Sequence, residues 1–185
     1  MKIGILLSYL ALISVASAQN LPFSSLSATK LETFLLQPSV LTIKETITST
    51  FILALKNSDL TIEAVRLYSP GQETNVVKGV LLSLTPGEKN SASKTDYIDL
   101  DELSGLIKSL DYTIAQIPKL DKALSPEFRY MTKSGLRIGE FIDHGTNAYG
   151  FIQSGNTSIY LSADNVIELR DNLTKLQTAL NSPSK

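Results

Sequence analysis

Two stretches of this sequence place leucines and isoleucines three and four residues apart, and each follows segments in which apolar and polar residues alternate. The first runs through Leu103, Leu106, Ile107, Leu110, Ile114 and Ile117, the second through Val166, Leu169, Leu173, Leu176 and Leu180. Spacing of three and four gives a helix one apolar stripe, whereas alternation gives a strand one buried face. A chain carrying both in separate runs must lay helices on sheets. The fold class expected is α+β, with antiparallel β-meanders each followed by an amphipathic helix.

Local punctuation places the elements. Thr29 and Glu32 have capping-box spacing, Leu31, Phe34 and Leu35 share a face, and Pro38 stops a short helix within 27–37. From Val40 to Leu55 the period is two, with Leu41, Ile43, Ile47, Phe51, Leu53 and Leu55 on one side and threonines with Lys44 on the other. Glu45 falls on the apolar side. A strand of that length seldom runs unbroken, so a bulge near Glu45 is expected to shift the register. Asn57-Ser58-Asp59 and Ser69-Pro70-Gly71 are turns that separate strands near 60–68 and 76–84, and 85–94 reads as an exposed loop. A strand over 95–98 then enters a helix opened by Asp99 and Glu102 and closed by Pro118.

The second half repeats the scheme. Strands 128–133 and 136–142 flank Ser134-Gly135, read as a two-residue loop, and strands 148–153 and 157–161 flank Ser154-Gly155-Asn156. A last helix covers 163–181, starting at Ser162 or Asp164. Laying Tyr97-Ile98-Asp99 over Tyr160-Leu161-Ser162 also brings Leu103 onto Val166, Leu106 onto Leu169 and Leu110 onto Leu173, all at one offset of 63 residues. Residues 38–118 and 126–181 therefore read as pseudo-repeat halves, a duplicated ββββα unit within a single α+β domain spanning 19–185. In the order of its elements alone, the chain resembles the single-stranded nucleic-acid binders of the Whirly type; no residue motif of that family is present, so the resemblance implies no site.

Residues 1–18 read as a signal peptide: Lys2 precedes an apolar stretch to Val15, and Ala16-Ser17-Ala18 is a small-x-small cleavage site. The stretch is short for a bilayer span, so no membrane span is expected after cleavage, and the mature chain is expected to be secreted or periplasmic. Removing 1–18 takes away Lys2 alone among charged residues and leaves 16 bases against 18 acids, which argues against a nucleic-acid partner. With no cysteine there is no disulfide framework, thiolate metal site or cysteine nucleophile.

Chemistry-bearing residues are sparse. His144, the sole histidine, lies in Asp143-His144-Gly145-Thr146-Asn147, where Asp143 could orient it; turn chemistry explains the segment more simply. The weak catalytic candidates are His144, Asp143 and Glu140, and no Gly-x-Ser-x-Gly elbow accompanies them. Asp96, Asp99, Asp101 and Glu102 invite a cation, but acids crowding a helix start are explained by its dipole, so neither metal nor cofactor is expected. Tyr130, Phe141, Tyr149, Phe151 and Tyr160 concentrate in the second sheet and are expected mostly as cross-strand core pairs. Should several emerge on one face with Arg129 or Arg137, they form a binding surface, for which Tyr149, Arg137 and Tyr130 are the named candidates. The two glycosylation triplets, at Asn156 and Asn172, are given no function.

The leading functional expectation is a non-catalytic module that binds a protein or small ligand through the second sheet. One alternative is a small hydrolase or isomerase using His144 with a nearby carboxylate. The other is an assembly protein dimerising through its C-terminal helix.

Overall fold

The structure, a computed structural model, describes residues 27–88, 92–120, 125–143 and 147–182. His144 and the signal segment lie outside the described residues. The first half comprises α1 (Lys30–Leu35), four strands, β1 (Ile43–Leu53), β2 (Asp59–Tyr68), β3 (Val77–Thr85) and β4 (Lys94–Asp99), and then α2 (Leu100–Gln116). The second comprises β5 (Glu127–Met131), β6 (Arg137–Asp143), β7 (Asn147–Ser154), β8 (Thr157–Ser162) and α3 (Ala163–Asn181). Each half is an antiparallel meander in strand order 1-2-3-4 or 5-6-7-8, followed by its helix. The fold is thus α+β, built as a ββββα unit made twice.

The helix starts repeat as well. Ser162 accepts from the Asn165 amide at 3.2 Å, and its own amide donates to Asn165 Oδ1 at 3.3 Å. The Asp99 amide donates to Glu102 Oε2 at 3.4 Å, at the same 63-residue offset. The Asp99 carboxylate is used elsewhere: it accepts from the amides of Lys30 at 2.8 Å and Leu31 at 3.1 Å, the free N–H groups at the start of α1. One aspartate therefore ties α1 to the end of β4, a bond worth about 1 kcal/mol as a cap.

Both helices lie on the inner faces of the sheets. α3 touches β1, β2, β3, β7 and β8, and α2 touches β3 to β6 as well as α3. One apolar cluster runs through both halves, from Ile52, Ile62 and Leu82 through Leu106 and Leu110 to Ile152, Leu161 and the whole leucine face of α3. Val166, Leu169, Leu173, Leu176 and Leu180 are all fully buried in it, so the stripe that reads as a dimer seam is spent within the chain. Each such side chain contributes about 1.5–3 kcal/mol of burial, which explains why both helices are fixed to both sheets.

Two local expectations are corrected. The bulge near Glu45 is present, as a register shift between Thr46 and Thr48. It inverts the parity of the rest of β1: Ile52 is buried, while Phe51 and Leu53, read as core, are 58% and 62% exposed. Glu45 stays at the surface and accepts from the Tyr68 hydroxyl at 2.6 Å. The loop at Ser134-Gly135 is longer than two residues. Thr132 and Leu136 still exchange a backbone bond at 2.9 Å, so Lys133-Ser134-Gly135 forms a three-residue loop with Gly135 at φ 87°. Among the described residues, no helix is long and apolar enough to cross a membrane.

Candidate functional site

The two sheets treat their outer faces differently. On the first, α1 lays Leu31 and Phe34 over Val65, Leu67 and Leu81, with Val77 and Tyr97 at the margin, a second and smaller core. On the second, no described helix or strand covers the outer face.

Strand pairing sets what that face displays. Phe141 stands opposite Tyr149, and Phe151 opposite Tyr160, in adjacent rows. Their rings meet: Phe141 has centroids at 5.8 Å from Tyr149, 6.3 Å from Phe151 and 6.3 Å from Tyr160, at interplanar angles of 35°, 48° and 75°. Tyr160 is 40% exposed and the other three are half-buried, against each other and not beneath another described element. Gly139 makes this possible, since a Cβ there would meet the Phe151 ring at 2.8 Å.

Polar groups rim the rings. Arg137 Nη1 donates to Gln153 at 3.3 Å, in the row that ends at Ser158. Arg129 pairs loosely with Glu127 at 3.6 Å, and Lys56 sits 5.7 Å above the Tyr160 ring. Lys56 and Asn57 both take positive φ, 58° and 55°, in the 3-10 turn Leu55–Asn57 that brings the first sheet's end against β8. A shallow hollow of about 370 Å³ lies among Arg129, Phe141, Phe151, Gln153 and Tyr160. A more polar cleft of about 450 Å³ adjoins it through Ser158 and Tyr160 and reaches Lys56 and Asn156.

The aromatic residues are cross-strand pairs, as the sequence suggests, but pairs on the outer face. Arg137 and Tyr149 share that face. Tyr130 does not: it points to the inner side, where its hydroxyl donates to the Glu102 carbonyl at 3.5 Å and its ring lies against Gly105 of α2. Burial and the neighbouring Glu102 push its phenol above the usual value.

Of the catalytic candidates, Asp143 and Glu140 do not converge. Asp143 is exposed at the end of β6, and Glu140, three residues earlier, points to the opposite, inner face. Glu140 is 3% exposed and is hydrogen-bonded to the Thr113 hydroxyl of α2. Burial holds its carboxyl above the ordinary range, only partly offset by that bond. Of the acids near the start of α2, Asp99, Asp101 and Glu102 lie within 4.8 Å of one another, and each of these three is used; Asp96 stands apart in β4. Asp99 holds α1, and Glu102 accepts from the Lys133 amide at 2.7 Å. Asp101, held below the usual value by Lys30 and Lys133, bonds their ammonium groups at 2.9 and 3.1 Å.

Lys56, Gln153 and the space made by Gly139 carry no sequence signal of their own. The face itself has one: Arg137, Phe141, Tyr149 and Phe151 are odd-numbered, while Ile138, Ile142 and Ile152 are even-numbered. Apolar residues at both parities give this sheet two apolar faces. No family model matches this chain, and no curated protein is significantly similar to it.

Proposed function

We propose that this chain is an exported, non-catalytic binding module that takes an apolar helical segment of a partner protein on the outer face of its second sheet. The observation that carries the reading is that the bare aromatic patch is the repeat-related counterpart of the patch that α1 covers. By strand pairing, Val65, Leu81 and Tyr97 correspond to Phe141, Phe151 and Tyr160. Where the first half supplies its own helix, the second leaves an apolar centre with a polar rim, the anatomy of a protein interface.

Other ligand classes fit less well. The rings are inclined to one another and offer no common plane for stacking a sugar. Arg129 and Arg137 are offset on the same face by Glu127, which is no continuous cationic track for a nucleic-acid backbone.

A photo-crosslinking residue at Ser158, on the rim, tests this against one at Lys175, on the exposed side of α3. In the native compartment, the Ser158 probe is expected to capture a protein segment with apolar residues three and four apart. Phe151→Thr with Tyr160→Thr should abolish the adduct while leaving the circular dichroism spectrum unchanged. Equal adducts from both positions, an adduct indifferent to the two substitutions, or capture of glycan or nucleic acid would overturn the reading.

A further inference from the structure

A second site lies on the inner side of the same sheet. Between the end of α2 and the start of α3 a crevice of about 240 Å³ opens among Ile114, Ile117, Ile142, Ala148 and Ile167, with Glu140 in its wall. Among the described residues, Glu140 is the one titratable side chain lining it. Its neighbours across the strands are Phe128 on β5 and Gly150 on β7, and α2 contributes Thr113. The ion pair that joins the helices, Arg170 with Asp111, is shared with Asp171 and lies towards solvent.

The hydrogen bonds around that acid accommodate its neutral form. The Thr113 hydroxyl has one proton and lies within bonding distance of both the Leu110 carbonyl, at 3.1 Å, and Glu140 Oε1. A carbonyl can only accept. Both contacts are satisfied together when Glu140 is neutral and donates to Thr113, which then donates to Leu110. The other carboxyl oxygen has no partner among the described residues and is an acceptor. Once ionised, an acid in this apolar crevice has no counter-charge among the described residues, and it is then complementary to a donor that carries its own positive charge.

We infer that this crevice binds a small apolar molecule ending in a protonated amine. An apolar cavity of about 150 Å³ accommodates benzene, so this one fits a benzene-sized ring with a short amine tail. The ammonium enters charged and bonds Glu140, which releases its proton to solvent; one proton leaves for each amine bound, and no covalent bond changes. Thr113 then donates to the carboxylate, and the Leu110 carbonyl loses only an accessory bond.

Titration calorimetry with benzylamine on the mature chain, in two buffers of different protonation enthalpy, tests the assignment. One site is expected, with proton release and with affinity that rises with pH until Glu140 is already ionised in the free protein. Benzyl alcohol, alike in shape but uncharged, should bind at least about tenfold more weakly. Glu140→Gln should remove the preference for the amine. Should that variant fail to fold, Ile167→Trp, at a rim position 38% exposed, should block the crevice and give the same loss. No binding, binding of both probes alike without proton release, or benzylamine binding that survives both substitutions would overturn the proposal.

Discussion

Replacing Gly150 with alanine tests the packing that leaves the aromatic face free. Gly150 sits in β7 beneath α3, where an added Cβ would stand well inside contact distance of Val166 Cγ2 and 3.1 Å from Leu161 Cβ. Apolar carbons settle about 3.5–4.0 Å apart, so the new methyl overlaps both. Valine in a helix has essentially one χ1 rotamer and cannot swing aside. Relief must come from lifting α3, at the usual cost of overpacking, about 1–3 kcal/mol. For a chain of this size that lowers Tm by about 2–12 °C. Val166→Ala alone removes two buried methyls and costs about 2 kcal/mol. In the double variant the alanine at 150 grows into the space those methyls vacate, so the combined loss should fall short of the sum by at least about 1 kcal/mol. Thermal and urea melts followed by circular dichroism read all three variants. A harmless Gly150→Ala, or strictly additive losses, would mean that α3 does not lie on β7, and the aromatic side would no longer be the sheet's outward one.

On β1, Phe51→Thr should change stability by no more than about 0.5 kcal/mol because the ring is exposed, whereas Ile52→Ala should cost about 2–5 kcal/mol. The reverse order in urea melts would remove the bulge. Glu140 gives a pH dependence of definite sign. Its folded pKa is raised by burial above the ordinary 4.5, so its contribution is complete below that value and is lost as pH rises through the raised one. Glu140→Gln should therefore gain on the parent chain as pH rises above 4.5, and a stability difference constant with pH would refute the neutral buried acid.

Much of the fold is legible in the sequence because its signals are local. Thr29 and Ser162 mark helix starts through side chains that bond amides three residues on, Glu102 marks one by reaching back to the Asp99 amide, and Pro118 ends α2 in a 3-10 turn, Ile117–Lys119. Burial of Phe51 and Leu53 is not legible, because parity beyond a bulge depends on which residue is extruded. Glu45 reveals that the register shifts but not that it does so between Thr46 and Thr48. The leucine face of α3 is ambiguous for a related reason. A stripe at three-and-four spacing fits a partner helix as well as two sheets, and only the tertiary arrangement decides. The crevice is less legible still: Glu140 meets Thr113 across 27 residues of sequence, and no spacing rule connects a strand residue to a helix that docks on it.

The duplication explains why, among the described residues, only one outer face is left uncovered. In the first half the residue that ends β4 is Asp99, whose charged carboxylate holds the two leading amides of α1, and Gly79 beside it leaves room for the Leu31 side chain. Their counterparts in the second half are Ser162 and Tyr149. Ser162 has its hydroxyl engaged with Asn165, its own helix cap, and carries no charge to anchor a second helix. Tyr149 fills the space that Gly79 leaves open and turns it into ring surface. The same two positions that dock a helix within the chain on one sheet therefore cannot dock an equivalent one on the other. A partner there must bring affinity through its side chains against Phe141, Phe151 and Tyr160, not through capped amides. It follows that a Ser162→Asp substitution, with Tyr149→Gly, should convert the second face towards the first and let a synthetic α1 peptide bind it. Fluorescence anisotropy of a labelled 27–37 peptide should show saturable binding to that variant and none to the parent; no binding to either would separate the two patches and undo the correspondence.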